Sequence, residues 1–175
     1  MSFRILGVDP GSRFTGWAVL DLPSYGKPMG VVSCGLIDAG RDRFPSNLGR
    51  IYAELKEVIS EYSPSLMSLE SIFSGVNPSS LIKLSQARGV IILLSSQEGL
   101  RLKEYPARFV KKSVAGYGNA DKDQVKAALG LIFSDAGSSY GGSSIKSFLD
   151  GKADPNITDA LAIAVCCATD MSNFV

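Results

Sequence analysis

The chain has 175 residues, 45% hydrophobic and 20% charged, with a formal net charge of +1 and no histidine. That length suits one domain with a substantial core, and the balance is ordinary for a globular protein. No apolar run approaches the roughly 20 residues of a membrane span, and Met1-Ser2-Phe3-Arg4 lacks a signal-peptide layout, so cytoplasmic residence is the expectation.

Residues 3–9 read as a buried strand, short and apolar with Ile5, Leu6 and Val8. Asp9-Pro10-Gly11-Ser12 signals a turn, and residues 15–20 resume as a second strand, making a hairpin. A turn over residues 23–28 leads to a third strand at 30–37, so that three consecutive strands read as antiparallel. The period then changes. Leu48, Ile51, Tyr52, Leu55, Val58, Ile59 and Tyr62 recur three and four apart, as one face of a helix does. Ser46 or Asn47 is its expected cap and Pro64 its stop, before a fourth strand at 65–70. Ser79 or Ser80 opens a second long helix that Gly99 ends, and residues 101–105 form a fifth strand. Helices are expected at 107–114 and 121–133, the latter capped by Asp121. Residues 134–154, rich in Gly and Ser around Ile145, Phe148 and Leu149, read as a long, partly mobile loop. A last apolar helix follows Asp159. Strands and helices in this order predict an α/β fold with a mixed sheet in a single domain, 1–175. Cys34, Cys166 and Cys167 follow no zinc-ligand spacing and read as small core residues.

Three acids sit beside more apolar sequence than packing favours. Asp9 ends the run Ile5-Leu6-Gly7-Val8, Glu70 lies between Leu69 and Ile72-Phe73, and Asp159 precedes Ala160-Leu161-Ala162-Ile163. Carboxylates seldom stand there unless something pairs with them or binds them. In a chain without histidine they point to a hard cation, and Mg²⁺ is the natural candidate because it takes oxygen ligands and bridges to phosphates. If strands one and four are neighbours, Asp9 and Glu70 project from one edge, with Asp159 facing them from the start of the last helix. Plainer roles exist for Asp9 as a turn residue and Asp159 as a first-turn helix residue; Glu70 is harder to explain that way. Between residues 101 and 126, Arg101, Lys103, Arg108, Lys111, Lys112, Lys122 and Lys126 outnumber Glu104, Asp121 and Asp123. Such a patch suits either a polyanion partner or a solvated surface.

Several stretches, in order, carry a resemblance. They are Ile5-Leu6-Gly7-Val8-Asp9-Pro10-Gly11-Ser12-Arg13 with Thr15-Gly16, Leu69-Glu70 with Phe73, and Lys83-Leu84-Ser85-Gln86-Ala87-Arg88-Gly89. Tyr105-Pro106-Ala107-Arg108, Val110-Lys111, Gly116-Tyr117-Gly118-Asn119-Ala120-Asp121-Lys122 and Thr158-Asp159-Ala160-Leu161-Ala162-Ile163-Ala164 continue it. Over nearly its whole length the chain resembles the RuvC family of bacterial Holliday junction resolvases, within the RNase H-like (retroviral integrase) superfamily. The resemblance implies an RNase H-like fold: a five-stranded mixed sheet, three antiparallel strands then two parallel, flanked by helices. It implies a homodimer that resolves four-way DNA junctions in recombination and repair, nicking two strands of like polarity through metal-activated water to leave 5′-phosphate and 3′-hydroxyl ends.

Carried over position by position, the resemblance makes Asp9, Glu70 and Asp159 ligands of Mg²⁺, with Mn²⁺ as substitute and two ions per site. Phe73 corresponds to an aromatic that stacks on a base at the junction centre. Lys111 and Lys122 correspond to basic residues near the scissile phosphate. Lys83, Arg88, Arg108 and Lys112 are further phosphate contacts, and the helix opening at Ser80 is the dimer-forming element. A branch-migration motor of the RuvA and RuvB type is the implied partner, and the nucleoid in the cytoplasm the implied location.

One position departs from the pattern. The family carries a fourth acidic ligand three residues before the place of Asp159, on the same helix face; here it is Asn156. An amide oxygen still coordinates metal but brings no charge, so affinity for a second ion falls. Asp154 reads instead as the helix cap, with Pro155 at the first helical position. Three accounts stand open: a natural neutral ligand, an engineered Asp-to-Asn change, or a catalytically weakened junction-binding protein. A further alternative is an RNase H-like nuclease acting on RNA, against which Phe73 and the Lys111/Lys122 pair argue.

Overall fold

The computed structural model describes residues 3–22, 29–71, 77–134, 139–140, 143–144, 149, 151 and 153–172. Five strands, β1 (Phe3–Asp9), β2 (Phe14–Leu22), β3 (Gly30–Asp38), β4 (Leu66–Glu70) and β5 (Arg101–Tyr105), form one sheet in the order β3-β2-β1-β4-β5. β1, β2 and β3 pair antiparallel, while β1–β4 and β4–β5 are parallel, the topology expected of an RNase H-like α/β fold. The helices are α1 (Ser46–Tyr62), α2 (Pro78–Gln97), α3 (Ala107–Ala115), α4 (Lys122–Ile132) and α5 (Pro155–Ser172).

Alternation along β1 divides the core in two. Ile5 packs in a cluster with residues of α3, α4 and α5, whereas Leu6 and Val8 pack with α1 and α2 on the other face. With helices on both faces the central strands are buried on both sides, which is why β1 shows an apolar run rather than clean alternation. β4 follows the same rule: Leu66 belongs with the α5 cluster, and Met67 and Leu69 with α1 and α2. Cys34, Cys166 and Cys167 are buried cysteines, as expected. Among the described residues no helix is long and apolar enough to cross a membrane.

Helix ends show where local signals compete. Asp121 caps α4 in a full capping box with Gln124, as expected. Neither Ser46 nor Asn47 caps α1. Pro45 holds that position without a side-chain bond, and the Asn47 amide is drawn off to donate to the Ser12 carbonyl at 3.2 Å. α2 opens at Pro78, two residues before Ser80, because Asn77 accepts from the Ser79 N–H at 3.0 Å and proline suits a first helical turn. α5 starts at Pro155, the first helical position expected after the Asp154 cap, and Asp159 lies inside the helix near its start.

The segment 134–154 is not wholly a loop. Ser139–Tyr140 and Ser143–Ser144 pair as a small antiparallel ladder, Leu149 is buried in the α5-side core, and the Gly151 carbonyl accepts from Lys126. Ile145 and Phe148, the turn at 23–28 and Phe73 lie outside the described residues.

Candidate active site

β1 and β4 run side by side with Val8 opposite Leu69, so Asp9 and Glu70 each stand one residue beyond the last pair, at the same sheet edge. By alternation both lie on the face covered by α5. Two glycines let that helix come close. A Cβ on Gly16, the cross-strand partner of Asp9, would sit 2.0 Å from the Asn156 carbonyl oxygen. One on Gly7 would sit 2.4 Å from the Ala160 carbonyl oxygen. The first turns of α5 therefore rest on bare backbone at the level of Asp9, bringing Asn156 and Asp159 to the acids. The Ser68 hydroxyl donates to the Ile163 carbonyl at 3.5 Å and ties α5 to β4 further along. The turn after Asp9 is fixed from below: the buried Thr15 hydroxyl donates to the Gly11 carbonyl at 2.9 Å.

The electrostatics register this crowding. The Asp9 carboxyl is pushed up from 3.8 to about 7, first by burial, then by the charges of Asp159 and Glu70. Asp154 adds to the push and Lys122 opposes it. Glu70 is also raised, by burial and Asp159, against Lys111, Lys122 and Arg88. The Lys122 ammonium donates to Asp159 Oδ2 at 3.0 Å and is held protonated by that bond. Among the described residues no three His, Cys, Asp or Glu side chains are already gathered tightly enough to hold a metal ion. The acids are within electrostatic reach without being drawn into coordination. Like charges repel until a cation arrives, and Lys122 occupies one of them. The donor set suits such a cation: oxygen only, desolvated at Asp9 and short of positive charge.

Other expected residues fall into distinct places. Lys111, half-buried on α3, and Lys122 face the acids. Lys83, Arg108 and Lys112 are exposed. Lys83 lines a cleft of about 500 Å³ between the turn at Ser12 and Arg13, the start of α1 and the start of α2. Arg88, expected on the DNA surface, is instead 7% exposed. Its guanidinium donates to the Glu70 carbonyl and to Glu104, so it lies beneath the site rather than facing a phosphate. The basic run also disperses: Arg101 stacks on Phe3 and Lys103 pairs with Asp170 at 2.7 Å. Sequence reasoning missed the charge that Asp154 lends the site, having assigned it only the cap. It does cap α5, accepting from the Asn156 N–H at 2.8 Å and from the Asn156 amide at 2.7 Å. It also missed Gly7 and Gly16, whose signal was the absence of a side chain inside two otherwise apolar strands.

Known proteins share this fold. The profile of a family described as crossover junction endodeoxyribonuclease RuvC matches residues 5–134. The crossover junction endodeoxyribonuclease RuvC of Xanthobacter autotrophicus is 42% identical over 136 residues, covering 77% of this chain and 79% of that protein. The protein of the same name in Pseudomonas fluorescens is 37% identical over 171 residues, covering 98% and 89%. In fold, the chain is similar to Thermus thermophilus RuvC solved with a Holliday junction substrate, with a TM-score of 0.81 at 21% identity, covering 98% of this chain and 96% of that one. The yeast mitochondrial Holliday junction resolvase Ydc2 follows at a TM-score of 0.72 and 11% identity, covering 97% and 79%. On the family match and these identities, the chain belongs to the RuvC family of crossover junction endodeoxyribonucleases.

Proposed function

We propose that this chain is a structure-specific endonuclease that resolves Holliday junctions by metal-dependent nicking of two strands during recombination and repair. The convergence of Asp9, Glu70 and Asp159 on one sheet edge, with Lys122 on Asp159, carries the assignment. Asp9, Glu70, Asp159 and the Asn156 amide oxygen would hold Mg²⁺, two ions per site, with Mn²⁺ able to substitute. Bound there, such ions supply Lewis-acid polarisation of the phosphate and a nucleophilic water at neutral pH. Lys122 and Lys111 carry positive charge to the scissile group. Lys122 pairs with Asp159 in the free protein and would turn to the phosphoryl oxygens as charge develops there.

The exposed Lys83, Arg108 and Lys112 would position DNA through its backbone, and Phe73 would stack on a junction base. Membership of the RuvC family favours a DNA junction over RNA as substrate, and a working nuclease over a purely binding relative. The chain would act as one domain and as a homodimer. α2 leaves Ile82 60% and Leu93 54% exposed, about three turns apart on one face, where a two-fold partner would bury them. A branch-migration motor would be its partner, in the cytoplasm at the nucleoid.

End-labelled synthetic four-way junctions, mobile and fixed, test this with Mg²⁺. The expected result is paired, ligatable nicks by the chain and none by Asp9→Asn, with both retarding the junction when metal is absent. Equal cleavage by the two proteins would sink the assignment.

A further inference from the structure

Arg88 is 7% exposed, an uncommon place for a guanidinium unless its donors are fully used. What it serves follows from the end of β4. The Ser71 N–H donates to the Tyr105 carbonyl at 2.8 Å, across to β5. Successive residues of a strand turn their backbone groups to opposite sides, so the Glu70 carbonyl faces β1. The donor due there in a parallel ladder is the residue after Asp9, and that residue is Pro10, which has no N–H. The Arg88 guanidinium, reaching from α2, donates to that carbonyl with one nitrogen and to Glu104 of β5 with another.

We infer that Arg88 is a positioning residue for the Glu70 carboxylate, replacing the ladder bond that Pro10 withholds. The inference rests on the proposed metal role of Glu70. Fixing the Glu70 carbonyl fixes the peptide plane beyond its Cα, and with it the direction in which the side chain leaves the sheet edge. Arginine suits the task because its rigid planar fork holds two acceptors in one fixed geometry; the lysine ammonium has three donors but sits on a flexible stem and fixes no such geometry. Proline after Asp9 and arginine on α2 are thus two halves of one device. One ends β1 sharply into the turn, and the other repairs the carbonyl left open beside it.

The test is Mn²⁺ binding by calorimetry to the chain, Arg88→Lys and Arg88→Met, alongside metal-free retardation of a four-way junction and nicking across a Mn²⁺ titration. Removing a group that orients a ligand weakens metal affinity about 10-fold or more. That loss is expected for Arg88→Met, with Arg88→Lys in between. Metal-free junction affinity should stay within about twofold, because only an exposed phosphate contact would carry that term. Nicking by both variants should recover as Mn²⁺ rises, a split that a general loss of folded protein does not produce. Arg88→Lys keeps the buried stem and a charged donor group without the planar fork, so it reads the same quantities should Arg88→Met fail to fold. Unchanged Mn²⁺ affinity in the folded variants overturns the inference, as does a metal-free junction affinity that falls about 10-fold, which would make Arg88 a phosphate contact. If the parent chain binds Mn²⁺ but nicks no junction, the proposed function fails while the affinity comparison still decides the role of Arg88.

Discussion

Replacing Asp9 by Asn should stabilise the metal-free protein while abolishing its cleavage of junctions. In the folded chain the Asp9 carboxyl is raised from 3.8 to about 7, chiefly by burial and then by Asp159 and Glu70. An acid with a raised folded pKa keeps a proton that the unfolded chain has already released. Stability therefore falls as pH rises between about 4 and 7, and the loss is complete above 7. At about 1.4 kcal/mol per pH unit, the gap between 3.8 and about 7 amounts to about 4 kcal/mol. Water entering the metal-free site screens part of this, leaving about 2–4 kcal/mol. For a chain of this size each kcal/mol moves the melting temperature by about 2–4 °C, so Asp9→Asn should melt at least about 4 °C higher at pH 8 in EDTA. The two proteins should converge near pH 4, and their difference isolates Asp9 from every other titrating group. Mg²⁺ should raise the melting temperature of the parent more than that of the variant, because the cation relieves the repulsion the variant lacks. Thermal unfolding at pH 4, 6 and 8, with EDTA and with Mg²⁺, measures all of this. A difference between parent and variant that does not grow from pH 4 to 8 would refute the reasoning.

Three other substitutions probe the same site. Gly16→Ala places a Cβ 2.0 Å from the Asn156 carbonyl oxygen, so α5 must move off the sheet. A melting temperature lowered by the equivalent of about 1–3 kcal/mol, with metal-dependent nicking lost, is expected, and an unaffected melting curve would contradict the close approach. Lys122→Met removes an ion pair whose lysine is 72% exposed, so urea unfolding should change by less than about 1 kcal/mol. Nicking at saturating Mg²⁺ should nevertheless fall about 100-fold; a rate close to that of the parent would remove Lys122 from the proposed chemistry. Asn156→Asp should raise Mg²⁺-dependent nicking, or leave it unchanged if the amide oxygen already suffices; a clear loss in a nicking time course would contradict the assignment of this position as a ligand.

Much of the fold was legible because period and burial are strongly coupled in this chain. The apolar run of β1, the three-and-four spacing of α1 and the cap at Asp121 each state their element locally. Asp9, Glu70 and Asp159 were legible for a related reason: a charge in apolar sequence is costly enough to demand an explanation. What stayed hidden depends on which element covers which face. Gly7 and Gly16 acquire meaning only once α5 is known to cross there. Arg88 appears in sequence as one more cation on a long helix, and its bonds under β4 depend on a three-dimensional neighbour, Glu104, 16 residues away. The expected cap of α1 failed because the Asn47 amide found the Ser12 carbonyl, a contact across 35 residues. The basic run between 101 and 126 failed as a unit because a strand, a turn and two helices carry its members in different directions.

Charge placement gives the departure at Asn156 a structural context. Asp9 feels Asp159, Glu70 and Asp154, and of these Asp154 already serves as the cap of α5 through the Asn156 backbone and amide. An aspartate at 156 would set a further carboxylate beside Asp154, whose charge already adds to the burden on Asp9. With Asn, the amide instead donates to Asp154 and draws its charge into the cap. The neutral residue thus reduces the repulsion that the folded, metal-free protein must bear, while also reducing the negative charge available to a second ion. Both effects originate at one amide, so tolerance of the empty site and affinity for the second cation trade against each other at residue 156. Lys122 moderates the same balance from the opposite sign, since it covers Asp159 until a cation competes for that carboxylate.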